Sequence, residues 1–95
     1  MEFNTTEEII QDIAAGKMVI LLDDEDRENE GDLVCAAELV NDKKINFMIS
    51  KAKGLVCLPL SPQKCDQLNL PMMTNNNRAK HGTGFTVSIE AAEGI

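Results

Sequence analysis

Met18-Val19-Ile20-Leu21-Leu22 is a continuous apolar run, and Asp23-Asp24-Glu25-Asp26-Arg27-Glu28-Asn29-Glu30-Gly31-Asp32 follows it without a break. Five apolar residues are too few for a helix and predict a strand buried on both faces. Asp32-Leu33-Val34-Cys35-Ala36-Ala37 predicts a second strand, so the two can pair through a wide connection instead of a tight hairpin turn. Seven of the ten residues from Asp23 to Asp32 are carboxylates and one is Arg, so this stretch carries −6 of the formal net charge of −7. Elsewhere acids and bases nearly cancel, which makes the acidity a property of one loop. Crowding like charges is costly unless a cation sits among them. Arg27 offsets part of that cost and a divalent cation would offset more. A charge run is most often a solvated turn. Placement at the end of two strands sets this one apart, because sites on mixed α/β architectures commonly form there.

On the N-terminal side, Thr5 and Glu8 stand in capping-box spacing and open a helix whose apolar face is Ile9, Ile10, Ile13 and Ala14. Gly16 supplies the left-handed stop. On the C-terminal side, Asn41 caps a second helix with Ile45, Met48, Ile49 and Ala52 on one face, ended by Gly54. Leu55-Val56-Cys57-Leu58-Pro59-Leu60 predicts another buried strand, with Pro59 forcing its end or an edge position. Ser61-Pro62 starts a short helix that directs Cys65 and Leu68 inward and stops before Pro71. Residues 72–82 have loop character and hold the basic patch of Arg78, Lys80 and His81. Residues 83–90 alternate with period 2, placing Phe85, Val87 and Ile89 opposite Thr86, Ser88 and Glu90. Such a hydroxylated face lines a polar site or simply meets solvent. The order predicts an α+β domain with a mixed β-sheet sandwiched by helices, incomplete because the buried-type strands outnumber the helices able to cover them.

Ninety-five residues with 43% apolar content allow one domain with an aliphatic core, since the aromatics are three Phe. No run is long enough to span a membrane and no signal segment opens the chain, so a cytoplasmic protein is expected. A pI near 4.5 argues against nucleic acid as a partner. Cys35, Cys57 and Cys65 form no Cys-x-x-Cys pair, which argues against structural zinc, and Cys35 and Cys57 read as buried reduced thiols.

Alternating acids that end in Gly suggest an EF-hand loop. With Asp26 first, Glu28, Glu30 and Gly31 fall correctly, but the closing position, where a bidentate Glu is needed, is Ala37. The flanks are strands where an EF-hand has helices, so that reading fails. A Mg²⁺ site using fewer carboxylates plus water and substrate oxygens survives.

The ten residues from Asp23 to Asp32 closely resemble the signature of the 3,4-dihydroxy-2-butanone 4-phosphate synthase family of riboflavin biosynthesis. The resemblance continues through Gly16-Lys17-Met18-Val19-Ile20, Gly54-Leu55-Val56-Cys57-Leu58-Pro59-Leu60 and Phe85-Thr86-Val87-Ser88-Ile89-Glu90-Ala91. It implies a lyase, dependent on Mg²⁺ (or Mn²⁺), that converts ribulose 5-phosphate to 3,4-dihydroxy-2-butanone 4-phosphate and formate, and a homodimer acting on a small sugar phosphate. It also implies that Glu28 binds the metal and that Arg27, Glu28 and Asp32 contact the substrate. Glu28 and Glu30 are the candidate catalytic residues, with Asp26 and Cys57 as neighbours. Crowded acids are expected to raise one another's proton affinity, which suits acid–base work.

The same resemblance makes residues 1–95 the N-terminal part of a single family domain. The Arg-x-Gly-His-Thr segment with the other metal ligand, and a later catalytic Glu, belong to its continuation. His81 sits in no such motif and is no substitute for that ligand. These 95 residues by themselves are therefore expected to be inactive. The alternative is a non-catalytic divalent-cation-binding or assembly module on the same half-fold, and sequence beyond Ile95 discriminates between the two.

Overall fold

The computed structural model describes residues 2–74 and 84–94. The chain divides into two compact units, Met1–Leu58 and Pro59–Ile95.

The first unit opens with helix α1 (Thr6–Ala14). Its start is the capping box read from the sequence. The Glu8 backbone N–H donates to Thr5 Oγ1 at 3.2 Å, and the Thr5 N–H donates to Glu8 Oε1 at 2.8 Å. Two of the unpaired N–H groups at the helix start are thereby satisfied. Gly16 ends the helix with φ of +83°, where a side chain would be strained.

Strands β1 (Val19–Leu22) and β2 (Gly31–Val34) pair antiparallel, with Val19 opposite Val34 and Leu22 opposite Gly31. The connection expected between them is present as residues 23–30. β2 is shorter than residues 32–37 because β1 runs out of partners at Val19. Beyond Val34 the chain leaves the ladder and takes a single 3₁₀ turn at Ala37–Leu39. The expectation that β1 is buried on both faces is not met. Ile20 is 65% exposed and Leu22 56%. The sheet has two strands, and α1 is the element that packs beside β1.

Asn41 caps α2 (Asp42–Phe47) by accepting the Lys44 N–H at 2.9 Å. The helix widens into a π-helical segment at Met48–Ala52, which the 3.6-residue periodicity does not distinguish. Lys53 (φ +60°) leaves the helical conformation one residue ahead of Gly54. Lys44 Nζ donates to the Leu39 carbonyl at 3.0 Å, tying α2 to the 3₁₀ turn.

The strand expected at residues 55–60 does not form among the described residues. Leu55 is 75% exposed and Leu58 is half-exposed. An apolar run becomes a strand only when a neighbour completes its ladder, and no described segment does so. Cys57 is accordingly exposed and Cys35 half-buried; both are free, and neither is the buried thiol expected.

In the second unit Ser61 caps α3 (Pro62–Gln67) by accepting the Lys64 N–H, with Pro62 in its first turn. Cys65 is half-buried, but Leu68 faces outward, 49% exposed. The alternating stretch near the C-terminus makes one isolated antiparallel bridge, Met72 opposite Thr86, in place of a full strand. Met73 N–H donates to Phe85 O at 2.8 Å and Val87 N–H to Pro71 O at 2.9 Å. Thr83, Arg78, Lys80 and His81 lie outside the described residues. The described part of the molecule is a partial α+β fold in which no described residue is fully buried.

Candidate functional site: the acidic loop between β1 and β2

The loop is organised by its first residue. Asp23 Oδ1 accepts the Glu30 N–H at 2.8 Å, and Oδ2 accepts the Glu28 N–H at 3.1 Å. The Asp23 N–H donates to the Glu30 carbonyl at 3.2 Å, which carries the β1–β2 ladder one step into the loop. Inside this frame the Asp24 carbonyl accepts the N–H groups of Arg27 (3.0 Å) and Asn29 (3.2 Å). A carboxylate bridging two N–H groups two residues apart is the arrangement of an anion-holding backbone nest. Here the anion is part of the protein.

Arg27 lies between two carboxylates. Nη1 is 3.5 Å from Asp23 Oδ2 and Nη2 is 3.9 Å from Glu28 Oε1. These are long, solvent-facing ion pairs that add little stability. They leave the Arg27 and Glu28 side chains about half-exposed, at 51% and 43%, while Asp23 keeps only 23%. The accessible groups are thus Arg27 and Glu28, and the withdrawn one is Asp23.

The electrostatics at Asp23 run opposite to the expectation of raised proton affinity. Hydrogen bonds from the Glu30 and Glu28 backbone N–H groups, with the Arg27 charge, hold its carboxyl below the ordinary aspartate value. Hydrogen bonding to the charged form outweighs the cost of partly withdrawing the carboxylate from water.

Arg27, Glu28 and Glu30 are drawn together through Asp23. Asp32 stands in β2, opposite Leu21. By sequence alone Asp23 is one acid among seven. An Asp opening a loop that returns through an Asn is a signal for side chain-to-backbone bonding, and it could have been found.

Among the described residues no three His, Cys, Asp or Glu side chains are grouped so as to hold a metal ion. The donor chemistry nonetheless suits Mg²⁺, which is commonly held by one or two carboxylates together with water and substrate oxygens. Glu28 is an accessible hard-oxygen donor of that kind. Among the described residues no helix is long and apolar enough to cross a membrane.

The family model for 3,4-dihydroxy-2-butanone 4-phosphate synthase matches residues 7–95. A relative of that name from Pseudomonas aeruginosa is 59% identical over all 95 residues, which make up 26% of its length. A riboflavin biosynthesis protein RibBA from Aquifex aeolicus is 58% identical over 90 residues, covering 95% of this chain and 22% of the relative. A two-domain 3,4-dihydroxy-2-butanone 4-phosphate synthase from A. baumannii superposes with a TM-score of 0.82 at 64% identity, over 97% of this chain and 27% of its own. A solved 3,4-dihydroxy-2-butanone 4-phosphate synthase in complex with two magnesium ions gives a TM-score of 0.89 at 41% identity, over 96% of this chain and 42% of its own. The chain spans about a quarter of the length of the curated relatives it matches. With the match running from within α1 through the acidic loop to Ile95, the chain belongs to the 3,4-dihydroxy-2-butanone 4-phosphate synthase family.

Proposed function

We propose that the whole protein carrying this chain is a lyase of riboflavin biosynthesis that converts ribulose 5-phosphate to 3,4-dihydroxy-2-butanone 4-phosphate and formate with Mg²⁺, Mn²⁺ being an acceptable substitute. The supporting observation is the accessible Arg27–Glu28 pair, held by Asp23 in a loop that lies within the family match. Residues 1–95 are the N-terminal part of one domain, a mixed sheet sandwiched by helices, in a cytoplasmic homodimer.

In this reading Glu28 holds the metal. When bound, Mg²⁺ supplies a Lewis acid that polarises the substrate ketone. Arg27 gives a planar, charged donor set suited to an anionic sugar phosphate. Asp32 accepts a hydrogen bond from a substrate hydroxyl, and Glu30 moves a proton beside it. Asp23 serves the site by holding the loop backbone, each of its oxygens accepting one N–H.

The test is formate release from ribulose 5-phosphate by the whole protein, with and without Mg²⁺ and after chelation. Mg²⁺-dependent release supports the proposal, and none above blank overturns it. The 95-residue chain alone is expected to release none, because the family's second metal ligand and a later catalytic Glu are outside it. Turnover by the chain alone at a normal rate would show that the catalytic groups had been misassigned.

A further inference from the structure

We draw no further inference here: the strongest candidate, the exposed apolar face that Ile20 and Leu22 present on β1, carries nothing because among the described residues nothing shows what covers it.

Discussion

Asp23 and Glu30 are bonded twice, the Glu30 N–H donating to Asp23 Oδ1 at 2.8 Å and the Asp23 N–H donating to the Glu30 carbonyl at 3.2 Å. One contact extends the ladder and the other clamps the loop, so the residue that follows β1 also sets where the acidic turn closes. Asp23→Ala should free the Glu28 and Glu30 amides and speed their hydrogen exchange roughly five- to tenfold, the loss of about one net hydrogen bond at each. The pH dependence has a definite sign. The folded-state value at Asp23 is lowered, so its contribution is complete above the ordinary aspartate value of 3.8 and is lost as pH falls through the lower folded value. Exchange at Glu28 and Glu30 should accelerate in that acid window in the parent. With Asp23→Asn the step should vanish, and its persistence would assign the transition to another group.

The cap of α1 is the second place where one side chain decides local order. Thr5→Ala removes the acceptor for the Glu8 N–H and should cost the helix about 1 kcal/mol. Thr5→Ser should cost much less, because it keeps the hydroxyl. Glu8 is held below its ordinary value, first by the Thr5 backbone N–H. The capping box should therefore be intact at neutral pH and weaken once acidification passes below the usual glutamate range. Helical circular dichroism against pH checks both statements, and equal helicity in the Ala and Ser variants would contradict them.

These caps were legible in the sequence because each depends on residues three apart, as in Thr5 with Glu8, Asn41 with Lys44 and Ser61 with Lys64. The β1–loop–β2 unit was legible for a related reason, since two apolar runs on either side of a charged turn have few other ways to pair. Residues 55–60 show where such reading stops. Their composition is that of a buried strand, but a ladder is a property of two segments, and no described segment serves as the partner. The exposure of Ile20 and Cys57 follows from the same dependence on distant chain. At the site, Arg27 and Glu28 were identified by their resemblance to the family signature, whereas Asp23 was not singled out. Its role depends on where the backbone returns at Glu28 and Glu30, and the left-handed turn at Asn29 that brings it back is a conformational fact beyond charge counting.

Exposed apolar side chains and open sheet edges give a prediction about association. Ile20 at 65%, Leu55 at 75% and Leu58 at 55% exposure leave large apolar side chains in water, and both outer edges of the two-stranded sheet are unpaired among the described residues. Open edges and apolar patches drive pairing with other chains. The 95-residue chain on its own should self-associate in a concentration-dependent manner and bind a hydrophobic dye. Sedimentation velocity across a dilution series provides the check, and a compact monomer at every concentration would contradict the prediction.

Glu28 provides the most demanding comparison in the whole protein. Glu28→Gln keeps the shape and volume of the side chain and removes the charge that a hard cation requires. If Glu28 holds the metal, kcat/KM should fall by roughly 10³-fold or more, about 4 kcal/mol of transition-state stabilisation, and Mg²⁺ affinity should fall with it. Folding should not suffer. Among the described residues the Glu28 side chain has only the 3.9 Å pair with Arg27 to lose, whereas its backbone N–H, which does hold the loop, is untouched by the substitution. Removing one of seven crowded carboxylates also relieves repulsion, so metal-free melting should stay level or rise slightly. Glu25→Gln is the control, a carboxylate of the same loop to which the family resemblance gives no ligand role. Activity, Mg²⁺ affinity and metal-free melting of both variants decide the matter. If Glu28→Gln stays near parental activity, or if the two variants lose equally, the loop is a solvated acidic turn and Glu28 is not its metal ligand.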